Sequence, residues 1–213
     1  MKPLANKFAK QQAGYSLVEL SVALAIVAVI LVGGLMGTRQ ILLTNNVNNQ
    51  LKDAAQVIAK VTRQFQNAAS TTDAINANLV PLSYWPKERF TSGVSTSGVY
   101  SGEVRGVIPG SYEYIYPNAE KIGVMEPNKG FLYTFNFVPA AACADLVAGL
   151  DNLSYAIYAG KSVGAKKSTG NVTPSNTNFE VKAADENTFD AVNLSRGCSS
   201  DLVNVDITAV IRL

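Results

Sequence analysis

Residues 17–36 are the stretch that most limits what this chain can become: LVELSVALAIVAVILVGGLM. The run is apolar except for one acid, Glu19, and one hydroxyl, Ser21. As a helix rising about 1.5 Å per residue it would span about 30 Å, the thickness of a bilayer core. The chain can therefore cross a membrane once. Glu19 is the exception inside that run. A carboxylate held in hydrocarbon costs roughly 2.5 kcal/mol or more, so it calls for a partner.

A short basic segment precedes the run and ends in Gly14. Lys2, Lys7 and Lys10 are its only charged side chains, and they read as the cytoplasmic flank of the helix. Removing them turns the balance of 18 basic against 16 acidic side chains slightly acidic, so bulk charge offers no case for nucleic-acid binding. An ordinary secretory signal or a plain signal anchor is the simplest alternative. A secretory signal wants a short apolar core before a small-residue cleavage site. Here the core is long and the small pair, Ala13-Gly14, stands in front of it. A plain anchor accounts for the hydrophobicity but not for Gly14 and Glu19 at their spacing.

The series Gly14, Tyr15, Ser16, Leu17, Val18, Glu19 followed by an apolar helix resembles the class III signal of type IV prepilins. The resemblance rests on about 25 residues, taken together as one motif. Tyr15 departs from the commoner phenylalanine or methionine. The resemblance implies cleavage between Gly14 and Tyr15 by a prepilin peptidase, N-methylation of Tyr15, and a role for Glu19 in assembly. In that role the acid neutralises the new amine on a neighbouring subunit. It also implies an α+β type IV pilin fold, a long N-terminal helix packed on a C-terminal antiparallel sheet. The implied partners are further copies of the chain in a helical polymer, the peptidase, the inner-membrane assembly machinery and, before assembly, the membrane. No cofactor or metal is implied. The precursor belongs in the inner membrane and the assembled pilus outside the cell.

The expected organisation is a leader at 1–14, an apolar helix at 15–37, its amphipathic continuation at 38–76 and a globular head at 77–213. Gly33, Gly34 and Gly37 cluster at the end of the apolar part. Each costs a helix interior roughly 1 kcal/mol relative to alanine. They read either as a soft point that loosens on assembly or as a close-packing face through Gly33-x-x-x-Gly37. In the continuation, Val47, Leu51, Ala54, Ile58, Val61, Phe65 and Ala68 recur at steps of three and four, while Asn45, Asn46, Gln50, Lys52, Asp53 and Arg63 take polar positions. That stripe predicts one face laid on the head; a coiled coil is the other reading.

In the head, Tyr112, Tyr114 and Tyr116 alternate as in a strand with one aromatic face. Residues 130–138 read as the clearest strand, with Phe131, Tyr133, Phe135 and Phe137 on one side and Leu132, Thr134, Asn136 and Val138 on the other. Pro139 ends it, and a short helix follows, carrying Cys143. YAIYA at 155–159 suggests another strand, and 203–213 a half-buried last one. Lys161, Lys166 and Lys167 form a small basic cluster, most simply a solvated loop tip, with contact to DNA or an acidic partner as the alternative.

The two cysteines, Cys143 and Cys198, both lie beyond the membrane segment, where an even pair in an oxidising compartment reads as a disulfide; two buried thiols are the alternative. Such a loop would stabilise by about 4 kcal/mol on the chain-entropy account. In pilins a pair like this brackets the C-terminal variable region, and the resemblance implies the same for 143–198. There is no histidine, which removes the commonest general base and metal ligand. Asp185-Glu186 and Asp201 with Asp206 are too sparse for a calcium loop. The expectation is a structural protein and not an enzyme.

The length left after cleavage, the unusual first residue and the wide cysteine spacing lean toward type IVb major pilins. These include bundle-forming and toxin-coregulated pilins and the thin pili of conjugative plasmids. Such a filament would serve adhesion, aggregation or mating contact. A type II secretion pseudopilin or minor pilin shares the same leader. A monomeric membrane-anchored binding domain is the reading from outside the filament class.

Overall fold

A computed structural model describes residues 16–65, 84–90, 104–161, 178–185, 188–199 and 201–213. The chain divides into two compact units, one ending at Leu42 and the other covering Leu43–Leu213. Helix α1, Leu17–Phe65, contributes to both. The part of the continuation beyond Phe65, with Ala68, lies outside the described residues.

The second unit is built on a six-stranded antiparallel sheet. Its strands are β1 (Val104–Arg105), β2 (Tyr112–Pro117), β3 (Gly130–Pro139), β4 (Ala156–Lys161), β5 (Asn178–Lys182) and β6 (Asn204–Arg212). They lie in the order β1-β2-β3-β6-β4-β5. Among the described residues the sheet is accompanied by the short α-helices α2 (Ala140–Leu150) and α3 (Ala191–Gly197). Asp190 caps α3, its carboxylate accepting from the N–H groups of Val192 and Asn193 at 2.8 and 3.0 Å.

One face of the sheet carries the main core. Phe131, Tyr133, Phe135, Ile207, Ala209 and Ile211 point into it. Against them lie Val47, Ala54, Val57, Ile58, Val61 and Phe65 of α1, together with Leu146, Val147 and Leu150 of α2. The predicted amphipathic stripe is thus the docking stripe of the helix. Gly149 sits where α2 meets α1; a Cβ there would collide with the Leu51 side chain. The other face holds a smaller cluster of Ile122, Met125, Leu132, Ala156, Tyr158 and Val210.

Three expectations change. The last strand is not half-buried. β6 pairs with β3 on one side and β4 on the other, and Asp206, Thr208 and Val210 are as buried as Val205 and Ile207. A central strand with a cluster on each face has no solvent side. Second, the alternation in β3 breaks before its end. Phe135 pairs with Ile207 but Val138 with Val205, so one extra residue bulges out. Phe137 takes a positive φ of 57° there, and its N–H donates to Asp206 Oδ1 at 3.1 Å. The bulge delivers Val138 to the core and sends Phe137 edge-on against Tyr112, with ring centroids 6.0 Å apart. The alternating tyrosines do fall in a strand, β2, where they are partly buried and Tyr114 stacks on Tyr116. The buried member of that strand is Glu113. Third, Gln50 is not on the polar side of α1 but fully buried.

Strand β5 and helix α3 carry too little periodicity to announce themselves. Each is short, and each is held by neighbours: β5 by β4, and α3 by the close approach of Gly197 to the Ala159 carbonyl. Cys143 of α2 and Cys198, just past α3, form a disulfide with Cα atoms 5.5 Å apart. It ties α2 to the end of α3 across a cysteine separation of 55 in sequence. Replacing both cysteines by alanine should cost roughly 2–4 kcal/mol and lower the melting temperature by several degrees, measurable by calorimetry. An unchanged melting temperature would show that the cross-link adds nothing to the packing.

Candidate assembly helix

Among the described residues, the first unit consists of the N-terminal part of α1. Helix begins at once after Ser16, whose carbonyl accepts from the Leu20 N–H at 3.0 Å. The hydroxyls of Ser21 and Thr38 bond back into the helix. Ser21 Oγ donates to the Val18 carbonyl at 2.7 Å, and Thr38 Oγ1 to that of Leu35 at 3.0 Å. Neither therefore demands water.

The apolar side chains have no such satisfaction. Leu17, Leu24, Val29, Ile30, Leu35 and Met36 are all more than half exposed, Val29 by 74%. Each gains roughly 1.5–3 kcal/mol on full burial, so a run of this length in water costs on the order of tens of kcal/mol. That exceeds the roughly 5–15 kcal/mol net stability of a typical domain. The rod needs an apolar environment from outside the subunit. It is the one helix among the described residues long and apolar enough to cross a membrane.

Glu19 lies in the first turn, exposed, with no ion-pair partner among the described residues. Gly14 and Tyr15, the expected cleavage and methylation positions, fall outside the described residues. The helix passes unbroken through Gly33, Gly34 and Gly37, and a Cβ at any of the three would meet nothing within 4 Å. Nothing among the described residues requires glycine there. Gly33 and Gly37 stand one turn apart on one face. Close packing and softening both remain open, and both refer to contacts beyond one subunit.

A model of the prokaryotic N-terminal methylation motif matches residues 9–35, which take in Lys10 at the end of the basic segment, Gly14, Glu19 and most of the apolar run. The chain is type IV prepilin-like. The motif fits a membrane-anchored precursor processed by a prepilin peptidase, of the pilin-like or pseudopilin kind, and that family is structural in character. No curated protein matches the sequence significantly. The α+β architecture, with the apolar helix continuing into one packed on an antiparallel sheet, is consistent with the type IV pilin fold.

The head of this prepilin-like protein grips its share of α1 through a buried polar cluster that periodicity did not reveal. Glu113 of β2 is fully buried and accepts from four donors. Gln50 Nε2 lies 2.6 Å from Oε1, and Trp85 Nε1 lies 2.8 Å from Oε2. The Arg89 guanidinium and the Tyr133 hydroxyl complete the set. Arg89 also pairs with Asp53, one turn along α1 from Gln50, and its Nε donates to the Arg105 carbonyl at 2.6 Å. Gln50 Oε1 accepts from the Ile108 N–H at 3.2 Å, so its amide is used at both ends.

Burial pushes the Glu113 carboxyl above the usual carboxylate range; the Arg89 charge and the bonds from Tyr133, Gln50 and Trp85 pull against it. Burial and the adjacent Glu113 hold the Tyr133 phenol well above its ordinary value. The chemistry is that of a clamp: two residues of α1, two of the 84–90 segment and one of each of two strands share one ionic centre. The available signal was the single acid in YEYIYP, placed in phase with Ile115 and out of phase with the tyrosines.

Proposed function

We propose that this chain is the structural subunit of a type IV filament, most like a type IVb major pilin. The supporting observation is the apolar part of α1, exposed along its length and carrying one acid in its first turn. Such a rod is stable in lipid or against copies of itself. The precursor sits in the inner membrane with its basic leader inside and its head outside. The prepilin peptidase cuts between Gly14 and Tyr15 and methylates the new amine. Subunits then exchange lipid contacts for contacts among their own helices. In that low-dielectric bundle the Tyr15 ammonium of one subunit pairs with Glu19 of a neighbour, chiefly to set registry. The finished fibre is extracellular and serves adhesion, aggregation or mating contact.

Electron microscopy of material sheared from cells, with N-terminal sequencing of its subunit, tests the proposal. Fibres whose subunit begins at methylated Tyr15 are expected. Shear that releases no polymer, with uncut chains in the membrane, would support a monomeric anchored domain instead. A cut chain that forms no surface fibre but is needed to secrete a periplasmic substrate would mark a pseudopilin. Gly14→Val should leave the precursor uncut, seen by mass spectrometry as a chain that keeps its leader. Normal cleavage of that variant would move the processing site elsewhere.

A further inference from the structure

Between Glu19 and Arg39 the helix carries no ionisable side chain, and its two hydroxyls are already bonded to its own carbonyls. The groups that still demand water or a counter-charge stand at the two ends. Arg39 follows Glu19 by twenty residues of unbroken helix, about 30 Å, which again is the thickness of a hydrocarbon core. Its side chain is exposed and has no ion-pair partner among the described residues.

Apolarity alone does not place this rod in a bilayer. The apolar pattern resumes beyond Arg39 with Ile41 and Leu42, both exposed, so the span could slide toward its C-terminal end without losing hydrophobic contact. Arg39 interrupts it. A guanidinium presents a planar fork of N–H donors that matches the oxygens of a phosphodiester, and it is weakly hydrated enough to work at the edge of hydrocarbon.

We infer that Arg39 binds the phosphodiester headgroups of the outer leaflet and thereby sets the depth of the helix, holding Glu19 at the opposite headgroup layer. The inference rests on the membrane stage of the reading above. It changes what the acid experiences. In the membrane pool Glu19 stays hydrated at the inner surface, and it enters an apolar setting only when the subunit leaves the bilayer for the bundle. Arg39 works as a depth stop through charge and hydrogen bonding to lipid.

The test uses the full chain in phosphatidylethanolamine–phosphatidylglycerol vesicles. Nitroxide labels are placed on single cysteines introduced at Ala23, Ile26, Val29 and Val32, and depth is read from relative oxygen and nickel accessibility. The two native cysteines are tied in the disulfide and do not take label. The deepest label is expected near Val29, midway between Glu19 and Arg39. Arg39→Gln should move the maximum toward the C-terminal end as Ile41 and Leu42 enter, and Arg39→Lys should leave it nearly in place. Adding Leu35→Arg to Arg39→Gln should move it about one helical turn the other way. Leu35 is exposed, so that change leaves packing within the subunit untouched. An inserted helix with the same depth profile in all variants would overturn the inference alone. Labels that stay in water in every variant would overturn the membrane stage as well.

Discussion

Glu19→Ala should reduce sheared surface filament to a small fraction of the normal yield, while the precursor is still cut and still accumulates in the membrane. The proposed pairing leaves the Tyr15 ammonium in the bundle without its counter-charge once the carboxylate is gone. Breaking one side of a buried pair costs roughly 3–5 kcal/mol, or about two to four orders of magnitude in the equilibrium for each subunit added. Glu19→Gln keeps an acceptor but not the charge and should fall between. Immunoblotting of sheared and membrane fractions measures both. Normal filament yield from Glu19→Ala would remove the residue from assembly altogether.

Arg89→Met should destabilise the head by about 3–5 kcal/mol near neutral pH, lowering the melting temperature by about 10 °C or more. The substitution keeps the apolar stem but leaves the fully buried Glu113 without its cation. Glu113 is already raised by burial, and the loss of Arg89 removes the largest opposing influence. The sign follows from linkage: a carboxyl raised in the folded state favours folding most below its unfolded value and loses that contribution as pH rises through its folded value. The deficit of Arg89→Met should therefore be largest at neutral pH and shrink as the solution is acidified. Adding Glu113→Gln should recover much of the loss at neutral pH, because the buried charge is gone. Melting curves of the detergent-solubilised full chain at several pH values give both results. A deficit independent of pH and unrelieved by the second change would mean that Arg89 acts through packing alone.

These two expectations sit on parts of the chain that differ in how they could be read. The apolar rod was visible in the residues because its periodicity and length need no partner to be recognised: a long stretch without charge is either membrane or bundle. The amphipathic stripe was visible for the same local reason, and its members Val47, Ala54, Ile58, Val61 and Phe65 are all buried. Strand β3 showed through its alternating aromatics, and the pairing of Cys143 with Cys198 followed from their being the only two cysteines.

The Glu113 clamp was hidden because its members come from segments far apart in sequence. Gln50 meets Glu113 across 63 positions and Trp85 across 28. A polar residue in a helix pattern reads as solvent-facing until a buried acid is found opposite it. The bulge at Phe137 was hidden too, because a period of two carries no mark of one inserted residue. So was the position of β6, since alternation records which residues share a side and not whether that side is covered.

By itself, then, the order of residues determined the local periodicities: a membrane-length rod, its docking stripe, the principal strands and the processing motif at the start. Only tertiary structure decided which strand lies in the middle, which way Phe137 and Val138 turn, and that an acid, not a tyrosine, is the inward residue of β2. Local patterns arise from backbone geometry over a few residues. Burial and ionic partnership arise from contacts across tens of residues, and those exist only once the chain has closed on itself.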